Sequence, residues 1–335
     1  VSLTNSAIAG RADDDCMGAG VYSLYSCGVI SNSFIAKNTI SGRQPNNGLG
    51  YGGGLYLNGG GWKVLDSTLT GNSAGLQNYG GNAGGAIAMY GYHVVSNCNI
   101  VANNLGALTG YKSSIVRYGS GIYMTGGLVT DCLIASNTIA NADVTSTVNG
   151  GGIYMTGGTV RNSLVLYNQA RQAAGGIYAS GGLIDSVTAT DNYSVNLDSV
   201  AGVQLAGSAV VSNSIFYGNI CQFDNTDISI SGSGGTVAYS CTTPYREGDG
   251  NTGDDPEFSD PANGNFLPLP GSPAIDAAQA HGWMADARDM AGNPRIQGSA
   301  PDMGAFETMP IDAGPLGVNF VGNTTAGRDS LEVTF

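Results

Sequence analysis

Positive charge is scarce in this chain. Lysine occurs only at Lys37, Lys63 and Lys112, and lysine plus arginine total 12 against 25 acidic residues. A nucleic-acid partner is excluded on that balance, because phosphate binding needs a basic surface. Histidine is scarcer still, at His93 and His281 alone. Two isolated imidazoles rule out a zinc motif, a metalloprotease helix and the Gly-His-Gly setting of polygalacturonase-type hydrolases. No run of about 18 apolar residues exists, so no helical membrane span is encoded. No secretory leader is visible at Val1; an exported protein starting here would be a processed or trimmed form.

Glycine is abundant instead, at 54 of 335 residues, a density that cripples helices. It recurs in a pattern. GSGIYMTGG at 119–127 is nearly repeated as GGGIYMTGG at 150–158. Looser copies are GAGVYS at 18–23, GGGLYLNGG at 52–60, GGAIAMYG at 84–91, AGGIYASGG at 174–182 and AGVQLAGS at 201–208. A second motif alternates with the first: NSFIAKN (32–38), DSTLTGN (66–72), NCNIVAN (97–103), DCLIASN (131–137), NSLVLYN (162–168) and NSIFYGN (213–219). DSVTATD at 185–191 reads as a degenerate copy ending on Asp191.

The spacing breathes. Asn103 to Asn137 is 34 residues and Asn137 to Asn168 is 31. Helical repeats keep a fixed pitch, so short strands between Gly and Asn turns are the better reading. The architecture predicted is an all-β parallel β-helix of about eight coils over residues 1–245, stacked at roughly 4.8 Å. Alternation sends Ile122, Met124, Ile153 and Met155 inward and Tyr123 and Tyr154 outward. Asn38, Asn72, Asn103, Asn137 and Asn168 are expected to form an inward amide ladder at one bend. Cys98 and Cys132 share one register, either as stacked small apolar residues or as a redox pair. Cys16 with Cys27 and Cys221 with Cys241 are near neighbours, as disulfides or as buried thiols.

The pairing of GGAI at 84–87 with FYGN at 216–219 resembles the repeats of polymorphic outer-membrane and autotransporter-type passenger domains. That resemblance implies a right-handed parallel β-helix displayed on a bacterial surface. Residues 246–308 resemble the choice-of-anchor Q module that closes bacterial β-helix surface proteins. Asp255–Phe258, DPANG at 260–264, GSPAID at 271–276, GNPR at 292–295 and DMGAFE at 302–307 carry the likeness. Ala278 stands where that module has glycine. The module reads as a cap, with Phe258, Phe266, Leu267, Leu269, Ile275 and Phe306 plugging the open end of the solenoid. Asp276, Arg295, Asp302 and Glu307 read as its structural ion-pair and turn network. Residues 309–335 form a linker and a short β tail, resembling the start of an immunoglobulin-like PKD module or a strand exchanged with another chain.

The functional candidates are few. Tyr22, Tyr56, Tyr123, Tyr154 and Tyr178 hold the outward position of one strand in successive coils, interrupted at Ala88. Such a row suits glycan contact, or else a self-stacking ladder. Asp13, Asp14 and Asp15 beside Arg11 are the nearest approach to the acidic pair and base of pectate-lyase chemistry, the other reading being a solvated loop. Asp249, Asn251, Asp254 and Asp255 offer oxygen ligands for a structural calcium ion; no other cofactor is indicated. The leading expectation is a secreted or cell-surface structural or adhesive protein. Its partner would be an extracellular polysaccharide or host or cell-surface glycan. The alternatives are a polysaccharide lyase or hydrolase, and a self-assembling filament or layer subunit.

Overall fold

A computed structural model describes residues 2–4, 7–9, 15–44, 49–78, 81–106, 116–139, 147–171, 174–195, 200–221, 227 and 229–309. Arg11, Asp13, Asp14 and the tail from 310 onward lie outside the described residues. The chain forms a parallel β-solenoid whose successive coils build four stacked sheets. Sheet I has five short strands, from Cys16–Met17 to Thr147–Asn149. Sheet II has eight, from Val21–Leu24 to Ile230–Ser231, and holds the Ile-Tyr-Met motif. Sheet III has 15, and sheet IV eight, from Ala7–Ala9 to Ile220–Cys221. Five coils carry strands of every sheet, fewer than the eight expected. Among the described residues the later copies show no sheet I strand.

The inward column of sheet II pairs Val21, Leu55, Ile87, Ile122, Ile153, Ile177, Val203 and Ile230 in register. Like side chains stack because adjacent strands offer each inward position the same space. From Leu55 to Ile230 these side chains are buried, as are Met89, Met124 and Met155 in the second inward column. Each contributes about 1.5–3 kcal/mol through removal from water. The wall between coils is thus a set of one-dimensional columns rather than a single globular core.

The second motif builds the bend between sheets III and IV. Asn38, Asn72, Asn103, Asn137, Asn168, Asn192 and Asn219 are buried one above another. Each Nδ2 donates to the next Oδ1, at 3.0 Å from Asn38 to Asn72, 3.0 Å from Asn137 to Asn168 and 2.8 Å from Asn192 to Asn219. Each Oδ1 also accepts the preceding asparagine's backbone N–H, so turn groups that water cannot reach are satisfied. Ser229 continues the row: its Oγ accepts from Asn219 Nδ2, and its hydroxyl donates to the Asp227 carboxylate. The member expected at Asp191 is Asn192. Asp191 is the left-handed residue before the ladder position, at φ 53°, like Lys37, Ala102, Ser136 and Tyr167. Cys98 and Cys132 belong to a parallel row of small groups with Ser67, Ser163, Ser214 and Ser240, as the stacked reading anticipates. Ser163 Oγ accepts Cys132 N–H at 3.1 Å, and both thiols donate to backbone carbonyls.

The last coil is closed by residues 243–252, not by the aromatic plug. Tyr239 N–H donates to the Asp249 carbonyl, and Arg246 Nη1 donates to the Gly232 carbonyl at 2.7 Å. Residues 255–308 instead fold back along the flank. Phe266 and Ala305 pack on Ala135, Leu164 and Leu166, while Ala274, Ala278 and Met303 pack on Ile215 and Cys241. Of the expected plug residues only Phe266 is fully buried, edge-on to Phe258, whereas Leu269 is 44% exposed. The reason is on the outer face of sheet III, where apolar side chains need cover. Polar clips fix the register: Asp185 Oδ2 accepts from His281 Nδ1 at 2.8 Å and from Trp283 Nε1 at 2.7 Å, with Arg161 over the Trp283 ring. Inside the flank module, buried Arg295 pairs with Glu307, and Asp302 accepts the backbone N–H groups of Asp276 and Thr308. The expected ion-pair network is therefore present, with Asp289 added: its carboxylate accepts Ala291, Asn293 and Glu307 N–H.

Candidate functional site: the tyrosine wall

The outward row of sheet II is an aromatic stack. Tyr22 lies on Tyr56 at 5.4 Å between centroids and 6° between planes. Tyr123 lies on Tyr154 at 5.6 Å and 5°, and Tyr154 on Tyr178 at 4.9 Å and 3°. The register sets this spacing, because Tyr22↔Tyr56, Tyr123↔Tyr154 and Tyr154↔Tyr178 are directly paired. The gap at Ala88 is filled. Tyr90 stands 5.7 Å from Tyr56 and 5.4 Å from Tyr123, and Tyr51 reaches both at 6.3 and 6.2 Å. Tyr118 adds a second layer, 4.2 Å from Tyr154.

Reading one strand at a time hides Tyr51, Tyr90 and Tyr118. A signal for two of them was available: Tyr51–Tyr56 and Tyr118–Tyr123 share a five-residue spacing across the glycine corner. That corner joins sheets I and II, so the outward side chains of both sheets meet in it.

The ring faces are consumed by one another. Tyr56 is only 5% exposed, and Tyr22, at the end of the row, is 53% exposed. A sugar stacks on a free aromatic face, and the interior of this wall presents edges and hydroxyls. Of the two readings open from the sequence, the geometry is that of the self-stacking ladder. The hydroxyls are engaged as well: Asn58 Nδ2 donates to Tyr56 Oη at 3.0 Å, and Tyr90 shares hydrogen bonds with Tyr51 and Tyr123.

Burial and neighbouring phenols push Tyr51 and Tyr154 up to about 12 and raise Tyr90 further. The folded state therefore holds these protons when an unfolded tyrosine, titrating near 10, has released them. Protons bound in excess by the native state mean stability falls as pH rises from about 10 to 12. A phenolate absorbance titration should show these tyrosines ionising only beyond pH 11, together with loss of secondary structure. Ionisation of all tyrosines near pH 10 with the fold intact would disprove the stacked wall.

The remaining candidates are dispersed. Asp15 is exposed and its carboxylate accepts Leu49 N–H at 2.9 Å. Asn251 is spent on the terminal cap: Oδ1 accepts Ser240 N–H at 2.9 Å and Nδ2 donates to the Val237 and Arg246 carbonyls. Asp255 accepts Glu257 N–H, and Asp254 sits beside Thr252. Among the described residues no group of three or more His, Cys, Asp or Glu side chains converges as a metal site. The 249–255 segment acts as a cap loop.

No S–S bond joins either expected cysteine pair. Cys16 faces the buried corner cluster while Cys27 is exposed at the next corner. Cys221 belongs to sheet IV and Cys241 to sheet III, where the Cys241 thiol donates to the Asp254 carbonyl. No family model, curated protein or solved structure matches this chain.

Proposed function

We propose that the protein is a structural and adhesive element of an extracellular surface, a stiff solenoid that holds glycans at its exterior. The observation that carries this reading is the investment of side chains in coil-to-coil contacts. Tyrosines stack outside, asparagines bond inside, and each row runs through successive coils. Such rows serve stiffness and length. The low lysine content and net charge of −13 are in keeping with an exported protein. The likeness to bacterial surface β-helices points the same way.

The test is incubation with a panel of uronate and neutral polysaccharides. Retention of intact polysaccharide, with no new reducing ends or unsaturated products, is the expected result. Product formation would replace this reading with a lyase or hydrolase. Failure to retain any member would remove the adhesive half of it.

A further inference from the structure

Two tyrosines stand apart from the wall. Tyr25 is 80% exposed and Tyr92 is 89% exposed, and neither meets another described aromatic ring. Both rise from the three-residue corners that join sheet II to sheet III. Strand register aligns the corners at 25–27, 59–61 and 91–93, so Tyr25 and Tyr92 are two coils apart. At the interstrand spacing that is about 10 Å along the axis.

The same corners elsewhere are stripped bare. They read Gly59-Gly60-Gly61, Thr125-Gly126-Gly127, Thr156-Gly157-Gly158 and Ser180-Gly181-Gly182. The fold requires this: a Cβ on Gly127 would lie 2.5 Å from the His93 carbonyl oxygen, and one on Gly60 1.8 Å from that of Ser26. The result is a narrow shelf of backbone. One side of the Tyr25 ring lies over Gly59, and the rest of that ring and the Tyr92 ring stand out into solvent. Just beyond Tyr92 the shelf deepens into an open hollow of about 460 Å³, walled by Val94, Leu128, Thr125 and the glycines at 126, 127 and 158.

We propose that this shelf is a carbohydrate-binding platform. It takes an extended neutral polysaccharide laid along the solenoid axis, with pyranose rings on Tyr25 and Tyr92. The proposal rests on the adhesive reading above and moves the contact from the wall to the corner. Free tyrosine faces suit the apolar face of a sugar. Their axial separation is close to two 1,4-linked pyranose units. Thr125 and the bare carbonyls of the shelf offer hydrogen bonds to sugar hydroxyls.

The hollow carries no charged side chain. His93 is buried and neutral, accepting Trp62 N–H at Nδ1 and donating from Nε2 to the Tyr90 carbonyl. A neutral sugar is therefore favoured over a uronate.

Affinity electrophoresis of the full chain in gels containing a soluble β-1,4-glucan, glucomannan, xylan or polygalacturonate tests this. The parent should be retarded by a neutral polysaccharide. Tyr92→Ala should weaken retardation about tenfold, and Tyr25→Ala with Tyr92→Ala should abolish it. Tyr92→Trp should preserve it. Both sites are exposed, so the melting temperature should not move. Tyr154→Ala, in the wall, should lower the melting temperature and leave retardation unchanged. Unaltered retardation of the double variant, or loss through Tyr154→Ala alone, overturns the platform while the adhesive reading stands. Retardation by polygalacturonate only overturns the ligand class. A parent that no polysaccharide retards removes the adhesive reading and the platform with it.

Discussion

Replacing Asn137 with alanine is expected to lower the unfolding free energy by about 3–6 kcal/mol. The side chain is fully buried and makes four hydrogen bonds. Its Oδ1 accepts Asn103 N–H and Asn103 Nδ2 at 3.0 Å each. Its Nδ2 donates to the Ile100 carbonyl at 2.8 Å and to Asn168 Oδ1 at 3.0 Å. Alanine fills none of these roles, and it strands a backbone N–H and a carbonyl where water cannot enter. Each stranded group costs about 1–3 kcal/mol.

The position within the stack matters as much as the bond count. Coils interact only with their neighbours, so a break in mid-stack separates the coils before it from those after it. Urea denaturation should show a lower midpoint and a broadened or split transition. Asn219, beside the terminal cap, should give a smaller loss and keep one transition. A loss below about 1 kcal/mol at Asn137 would mean that the ladder is not what closes the bend.

Arg295→Met should cost about 3–5 kcal/mol, confined to the flank module. The guanidinium is fully buried: Nη1 pairs with Glu307, and Nη2 donates to the Asp302 carbonyl at 3.0 Å and the Gly304 carbonyl at 2.6 Å. Methionine keeps the bulk and removes the guanidinium from Glu307, which retains only the Asp302 N–H at 3.0 Å, and from the Asp302 and Gly304 carbonyls. Trp283 reports the outcome, since its indole is pinned to Asp185 at the junction of module and solenoid. With Trp62 changed to phenylalanine, the variant's emission should shift red while the solenoid's far-ultraviolet signal holds. An unmoved emission would show that the arginine is dispensable.

The same cluster sets a pH dependence. Burial pushes the Glu307 carboxyl up to about 8 against the pull of Arg295, and burial raises Asp302 as well. One arginine faces three carboxylates here, counting Asp289. The native module thus holds a proton that the unfolded chain, with glutamate at 4.5, has released. Its stability is greatest below that value and declines as pH rises toward 8. The melting temperature of the module should fall across that interval.

Much of the solenoid was legible because its periodicity is chemical as well as numerical. Ile-Tyr-Met alternation fixed which face is inside, and Asn at the seventh place of each second motif fixed the bend. Asn192 was misread because DSVTATD places an acid one residue early, and only the left-handed backbone at Asp191 shows which residue turns inward. The wall left two readings open, glycan contact or a self-stacking ladder, because a single column was visible. Contacts between columns put Tyr51, Tyr90 and Tyr118 against it and occupy its faces. The docking flank had a faint signal. Thr68–Thr70 alternates polar and apolar, whereas Leu164, Val165 and Leu166 run together and are buried on both faces of their strand. A strand that stops alternating is one with something packed on its back.

The flank arrangement also decides how the molecule would carry load. The module touches six successive strands of sheet III, from Val101 to Cys241, and is pinned through Asp185 and Asn213. A pull transmitted through residue 309 therefore enters the solenoid along its side. It is spread over those six strands from the start, so the final coil does not take the load alone.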